Sequence, residues 1–256
     1  MTERRRAAAG VLVSGPPGAP SIVFVHSTRL TGAMWAAQQA ELSGEFRTIA
    51  IDLPAHGARA GEPFSLDGAA DVLAAVIRDH ATGGRAIVVG LSLGGYVAMD
   101  LAAREPALVR GLVLSGATAE PAGARSLAFL TFASLLDRVA AKRLDRINAW
   151  FFRTRYPPAL AEPIVAGGFW SKGGAQALRA LIGERFIPRL AAYPGPTLIL
   201  NGELDVIFRL SAPAFAAAAV DPRRVLLAGA THLASLDRPL AFSEGVRRFA
   251  RSLPAD

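Results

Sequence analysis

The chain has 256 residues, 52% apolar and 19% charged, a balance that excludes a disordered polymer and suffices for one large domain or two small ones with a sizeable core. It has no cysteine, which removes disulfide scaffolds, thiolate metal sites and cysteine nucleophiles, and its four histidines (His26, His56, His80, His232) are too few to suggest a multi-histidine metal site. The formal charge of +7 is local: 11 Lys/Arg face 5 Asp/Glu between Gly116 and Leu190, against 17 and 16 elsewhere, and no zinc-finger or RNA-recognition signature accompanies the excess.

Along the chain, Met1–Val13 imitates a secretory leader, but its apolar part is short and runs into the turn cluster Ser14-Gly15-Pro16-Pro17-Gly18. An opening strand with a hairpin-like turn is the expectation, and the cytoplasm the default location. No apolar run approaches the roughly 18 residues of a membrane span. Six short apolar runs then read as strands apolar on both faces: Ile22–Val25, Thr48–Ile51, Ala86–Val89, Gly111–Leu114, Thr197–Leu200 and Arg224–Leu227. Helical periodicity falls between them near Met34–Leu42, Leu66–His80, Leu93–Arg104, Ala212–Ala219 and Pro239–Leu253. Strand and helix in succession predict an α/β fold, a mostly parallel doubly wound sheet flanked by helices.

The alternation breaks once. From about 117 to 193 there are only helical patterns, including Phe129, Phe132, Leu135, Leu136 and Val139 at helical spacing. We read residues 1–116 and 194–256 as the core and 117–193 as a helical cap inserted between sheet strands.

Gly90-Leu91-Ser92-Leu93-Gly94 follows a buried strand and opens a helix. Glycines two residues either side of a serine allow the backbone to double back tightly, which leaves the hydroxyl exposed at the sheet's edge beside a helix N-terminus. A serine needs a base. His232 follows the last strand, on the same edge, and an imidazole exchanges protons near neutral pH. Asp205 follows the preceding strand and suits the carboxylate that orients the ring; Glu203 is its rival, and a simple helix-capping role its alternative.

The order Ser92, Asp205, His232 resembles the α/β-hydrolase fold superfamily over nearly the whole chain. His26-Ser27-Thr28-Arg29 resembles that superfamily's His-Gly oxyanion loop, and Asp52-Leu-Pro-Ala-His56-Gly57 its Asp-x-x-Gly-His-Gly segment. The resemblance implies oxyanion donors at the Leu93 N–H and at the Thr28 N–H, with the Ser27 N–H second to Thr28. It also implies that Trp35 packs beneath the loop. Ser27 stands where the family has glycine and would be strained if the position required positive φ; Ala55 likewise replaces the glycine before His56. His26 and His56 read as supports of loop shape, and His80 as surface.

The implied activity is a serine hydrolase that cleaves a carboxylic ester or lactone through an acyl-enzyme, with no cofactor and no metal. The substrate is a small molecule, and the basic insert leans toward an anionic one, with Arg125, Arg138, Arg153 or Arg155 as partners for a carboxylate. Nucleic-acid binding is not expected. Carbon–carbon bond hydrolases, cofactor-free perhydrolases and ligand-binding receptors of the same fold share the serine arrangement, and oligomeric state is open.

Overall fold

Apolar residues in unbroken runs give the central strands two buried faces, and the chain uses both. In the computed structural model, which describes residues 5–7, 10–123, 126–138 and 141–254, the strands are β1 (Arg5–Ala7), β2 (Val11–Ser14), β3 (Ser21–Val25), β4 (Arg47–Ile51), β5 (Ala86–Leu91), β6 (Val109–Ser115), β7 (Pro196–Gly202) and β8 (Asp221–Leu227). They form one eight-stranded sheet in the order β1-β2-β4-β3-β5-β6-β7-β8. All neighbours from β4 onward in that order are parallel; β2 runs antiparallel to both β1 and β4. The helices are α1 (Ala36–Leu42), α2 (Leu66–His80), α3 (Leu93–Arg104), α4 (Ser126–Arg138), α5 (Ala141–Arg155), α6 (Pro158–Gly167), α7 (Ser171–Leu181), α8 (Phe186–Ala192), α9 (Val206–Ala218), α10 (Ala234–Asp237) and α11 (Pro239–Arg251).

Side chains alternate between the two faces with the strand's period of two. Val23 and Val25 of β3 and Val88 of β5 join one core with α2, α3, α8 and α9. Ile22, Phe24, Ile87 and Val89 join the other, with α1, α6 and α11. Trp35 lies fully buried in that second core, its ring 5.0 Å from Phe24 and 5.8 Å from Phe242. Helices on both faces of a mostly parallel sheet make the expected doubly wound architecture. Among the described residues no helix is long and apolar enough to cross a membrane.

Three expectations are corrected. The turn at 15–18 does not close a hairpin, because β4 lies between β2 and β3; the hairpin is β1–β2 around Gly10, whose φ is 82°. Strand β8 is not buried on both faces: Val225 and Leu226 are exposed, and only Leu227 is buried, because β8 ends the sheet with a partner on one side alone. Helix α9 begins at Val206 rather than near 212 and carries Pro213 in its interior.

The helical insert, α4 to α8, lies between β6 and β7. Helix α4 packs on α7 through Ala133, Leu136, Ala175 and Leu178. The apolar stripe is only partly packed: Leu136 is buried, Phe132 and Leu135 are exposed, and Val139 lies outside the described residues. Helix α8 belongs to the sheet's own core, since the Phe186 ring packs tilted against Tyr96 of α3, 4.6 Å between centroids, and the Glu120 carboxylate accepts the Phe186 and Ile187 N–H groups at its start.

Candidate active site

Strand β5 ends at Leu91 and α3 begins at Leu93, so the chain reverses on the single residue Ser92. Its φ of 54° and ψ of −116° put a non-glycine residue in a region that L-residues avoid. The glycines around it are there for space. A Cβ at Gly90 would strike the Gly94 carbonyl, one at Gly94 would strike the Val25 carbonyl, and one at Gly95 would strike Ala117. The helix N-terminus is thereby pressed against the end of β3 and the loop that follows it. Ser92 remains partly exposed and lines a cavity of about 350 Å³ together with Thr28, Arg29 and His232.

Asp205 sits in the turn after β7 and His232 in the turn after β8, and the two turns are locked together. The Leu204 N–H donates to the Ala230 carbonyl at 2.9 Å, and a Cβ on Gly202 would strike the Ala230 and Thr231 carbonyls. His232 Nδ1 lies 2.8 Å from Asp205 Oδ2, with the aspartate nearly buried and the imidazole 35% exposed. That contact leaves Nε2 for the cavity. Asp205 precedes α9 without capping it by a side-chain hydrogen bond, so its carboxylate is committed to the ring. Glu203 is spent elsewhere, accepting the Gly229 N–H at 2.9 Å. Gly116, at φ 55°, makes room for the imidazole: a Cβ there would lie 2.6 Å from its Cε1. The Gly116 N–H is held by Asn201 Oδ1, whose amide donates to Thr118.

The loop after β3 supplies the facing wall. Ser27 has no positive φ, so the strain expected for a serine at that position does not arise; its N–H points at Met34 Sδ, 3.4 Å away. That contact occupies the N–H of the second-ranked oxyanion donor, although Ser27 lines the cavity. Among the described residues the N–H groups of Thr28 and Leu93 have no protein acceptor. The strain falls instead on Arg29, at φ 64°, and on Ala55, at φ 63°.

His26 and His56 build this loop and are fully buried. His26 Nδ1 donates to the Ser27 carbonyl and its Nε2 accepts the Leu53 N–H at 2.9 Å. His56 does the same with the Pro54 carbonyl and the Arg29 N–H. Burial pushes the His26 ring down to about 4, and burial together with the neighbouring His26 pushes His56 down to about 3. Both are neutral struts. His80, at the end of α2, is half-buried and away from the cavity.

Among the described residues, no arginine of the insert lines the cavity. Arg153 pairs with Glu162 and Arg155 with Asp237, Arg138 is exposed, and Arg125 lies outside the described residues. Asp237 also accepts from Tyr156 and from the Thr231 N–H and hydroxyl, so it ties α5 to the turn bearing His232. The charged residue in the cavity is Arg29. Its nearness to His26 in sequence was the available signal, masked by the larger basic excess of the insert.

A mostly parallel sheet, a serine on a strained strand-to-helix turn, and an imidazole–carboxylate pair on the same rim define the hydrolase class of this fold. The profile of the alpha/beta hydrolase family matches residues 22–244, and the chain belongs to that family. It is a hydrolase with esterase and lactonase relatives. It is 27% identical to a pimeloyl-[acyl-carrier protein] methyl ester esterase of Nitrosospira multiformis over 268 residues, covering 91% of this chain and 95% of that one. It is 25% identical to 3-oxoadipate enol-lactonase 1 of Acinetobacter baylyi over 266 residues, covering 99% and 97%. The crystal structure of the enol-lactonase from Burkholderia xenovorans LB400 superposes with a TM-score of 0.81 at 24% identity, covering 96% and 99%.

Proposed function

We propose that this hydrolase cleaves a carboxylic ester or lactone through an acyl-enzyme, with Ser92 as nucleophile, His232 as general base and acid, and Asp205 as the carboxylate that orients the imidazole. The observation that carries the reading is the 2.8 Å contact between His232 Nδ1 and Asp205 Oδ2 on the wall of the cavity that Ser92 enters. With Nδ1 donating to the carboxylate, Nε2 is the unprotonated nitrogen and takes the Ser92 proton as Oγ attacks the carbonyl carbon. The oxyanion that forms is held by the Leu93 N–H, at the start of α3, and the Thr28 N–H. His232 then protonates the departing alkoxide, the ester C–O bond breaks, and the acyl group stays on Ser92. Water, deprotonated by the same nitrogen, attacks the acyl carbon and releases the acid, returning the proton to Ser92.

In this reading α4 to α7 act as the cap over the site, supporting the division into a core (1–116, 194–256) and an insertion (117–193), with α8 packed as a core helix. Phe129, Phe132 and Phe152 from the insert give the cavity apolar walls that suit a small to medium acyl or alcohol group. The test is turnover of p-nitrophenyl esters by the purified protein, with Ser92→Ala as control and a fluorophosphonate as label. We expect turnover that disappears in Ser92→Ala and a single phosphonate adduct on Ser92 by mass spectrometry. Undiminished turnover in Ser92→Ala, or an adduct on another residue, would refute the assignment.

A further inference from the structure

We propose that Arg29 is the anchor for a carboxylate on the substrate, so that the enzyme's preferred esters or lactones are anionic. The inference rests on the reading of Ser92 as nucleophile only in placing the reacting bond; the anion site stands on its own geometry. Arg29 lines the same cavity as Ser92 and His232. Its backbone is pinned on both sides, the N–H donating to His56 Nε2 and the carbonyl accepting from the Trp170 N–H at 2.8 Å. Two such bonds hold a non-glycine residue at φ 64° and thereby fix the direction in which its Cα–Cβ bond leaves the backbone.

The side chain is aimed but unmatched. Its stem passes Gly174 of α7, where a Cβ would lie 2.5 Å from Arg29 Cγ. The guanidinium lies 5.6 Å from the Phe132 ring centroid and donates from Nη1 to Asn148 Oδ1 at 3.4 Å, a long contact. Nε is buried without an acceptor, and among the described residues Arg29 forms no ion pair. Of the other arginines discussed above, Arg153 and Arg155 have carboxylate partners and Arg138 lies in solvent. Burial lowers the proton affinity of Arg29, and the field of Asp145 on α5 opposes that without closing a salt bridge. A guanidinium withdrawn from water is stabilised by an opposing charge, and its planar fork fits a carboxylate. The cavity offers that place to the substrate.

The test uses pairs of esters that differ only in one charge: the p-nitrophenyl half-ester of glutarate against its methyl-capped form, and 4-acetoxybenzoate against its methyl ester, which put the carboxylate on the acyl and leaving sides. We expect at least one pair to favour the carboxylate in kcat/KM by on the order of ten- to a hundredfold, the range of a charge-assisted hydrogen bond. Arg29→Gln should collapse that ratio toward one, mainly through KM, and Arg29→Lys should keep part of it. Asp145→Asn should raise the ratio. No preference in either pair, or an equal loss on both members in Arg29→Gln, would overturn the anchor, as would a fall in Asp145→Asn that mirrors Arg29→Gln, which marks a structural pair. Calorimetric binding of the preferred ester to Ser92→Ala gives a second readout: affinity should favour the charged member and lose that bias in the Ser92→Ala/Arg29→Gln double variant. If Ser92→Ala still turns over, the nucleophile is misassigned while the charge ratio still judges Arg29.

Discussion

His26 and His56 lie with their rings 5.0 Å apart, fully buried, each satisfied by a backbone carbonyl on one nitrogen and a backbone N–H on the other. His232, across the same rim of the sheet, keeps a third of its side chain exposed and faces a carboxylate. The first two rings are held neutral by desolvation and act as rigid spacers between the loops after β3 and β4. The third has a negative partner for an imidazolium and open space on its other nitrogen. Whether an imidazole serves as strut or as proton carrier is decided by its partners and its access to water.

The sharpest way to break this contrast is to exchange the chemistry at His232. His232→Gln should lower kcat/KM on an activated ester by on the order of 10⁴-fold, with the melting temperature nearly unchanged, because in the proposed mechanism the ring carries the proton and the half-exposed side chain contributes little packing. A loss of stability in proportion to the loss of rate would move His232 into the structural class. The buried pair predicts the opposite signature. Below the ordinary 6.5 the unfolded chain takes up protons that His26 refuses until about 4 and His56 until about 3. Their contribution to stability is therefore complete above pH 6.5 and lost as pH falls through that window. For His26 alone the loss is about 3 kcal/mol by pH 4. Urea midpoints measured at pH 7.5, 5.5 and 4.5 should fall steadily, and a flat profile would mean that the rings take up protons in the folded protein as readily as in the unfolded chain.

Gly116→Ala sharpens the comparison from the other side. The new methyl must push the His232 ring from Asp205 while leaving His26 and His56 untouched, so kcat should fall about 10- to 100-fold. Activity at the parent level would show that the ring has room to spare. Ala55→Gly is the smallest change. Relief of the positive φ is offset in part by a more flexible unfolded chain, giving a stability gain of at most about 1 kcal/mol with activity held, read from the thermal midpoint.

Much of this was legible in the residues. The runs Ile22–Val25 and Ala86–Val89 announce central strands because both faces are apolar, and Leu66–His80 announces a helix to the residue, with Ser65 accepting the Gly68 N–H at its start. Gly90 and Gly94 mark a tight turn because only the absence of a side chain allows it. Strand β8 misled, since its apolar letters do not say that it stands at the sheet's edge. Ser27 misled too: the positive φ falls two residues later, where the Arg29 N–H meets His56 from a separate segment.

The sequence by itself determined the alternation of strand and helix, the place of the insert and the order serine, aspartate, histidine, because each is written in local spacing or in chain order. Only the tertiary structure decided which carboxylate meets His232, that the insert's Arg153 and Arg155 are occupied while Arg29 lines the cavity with no carboxylate partner among the described residues, and that Asp237 clamps the insert to the rim. Those facts depend on side chains from distant segments competing for the same partners, and that competition is resolved by packing in three dimensions.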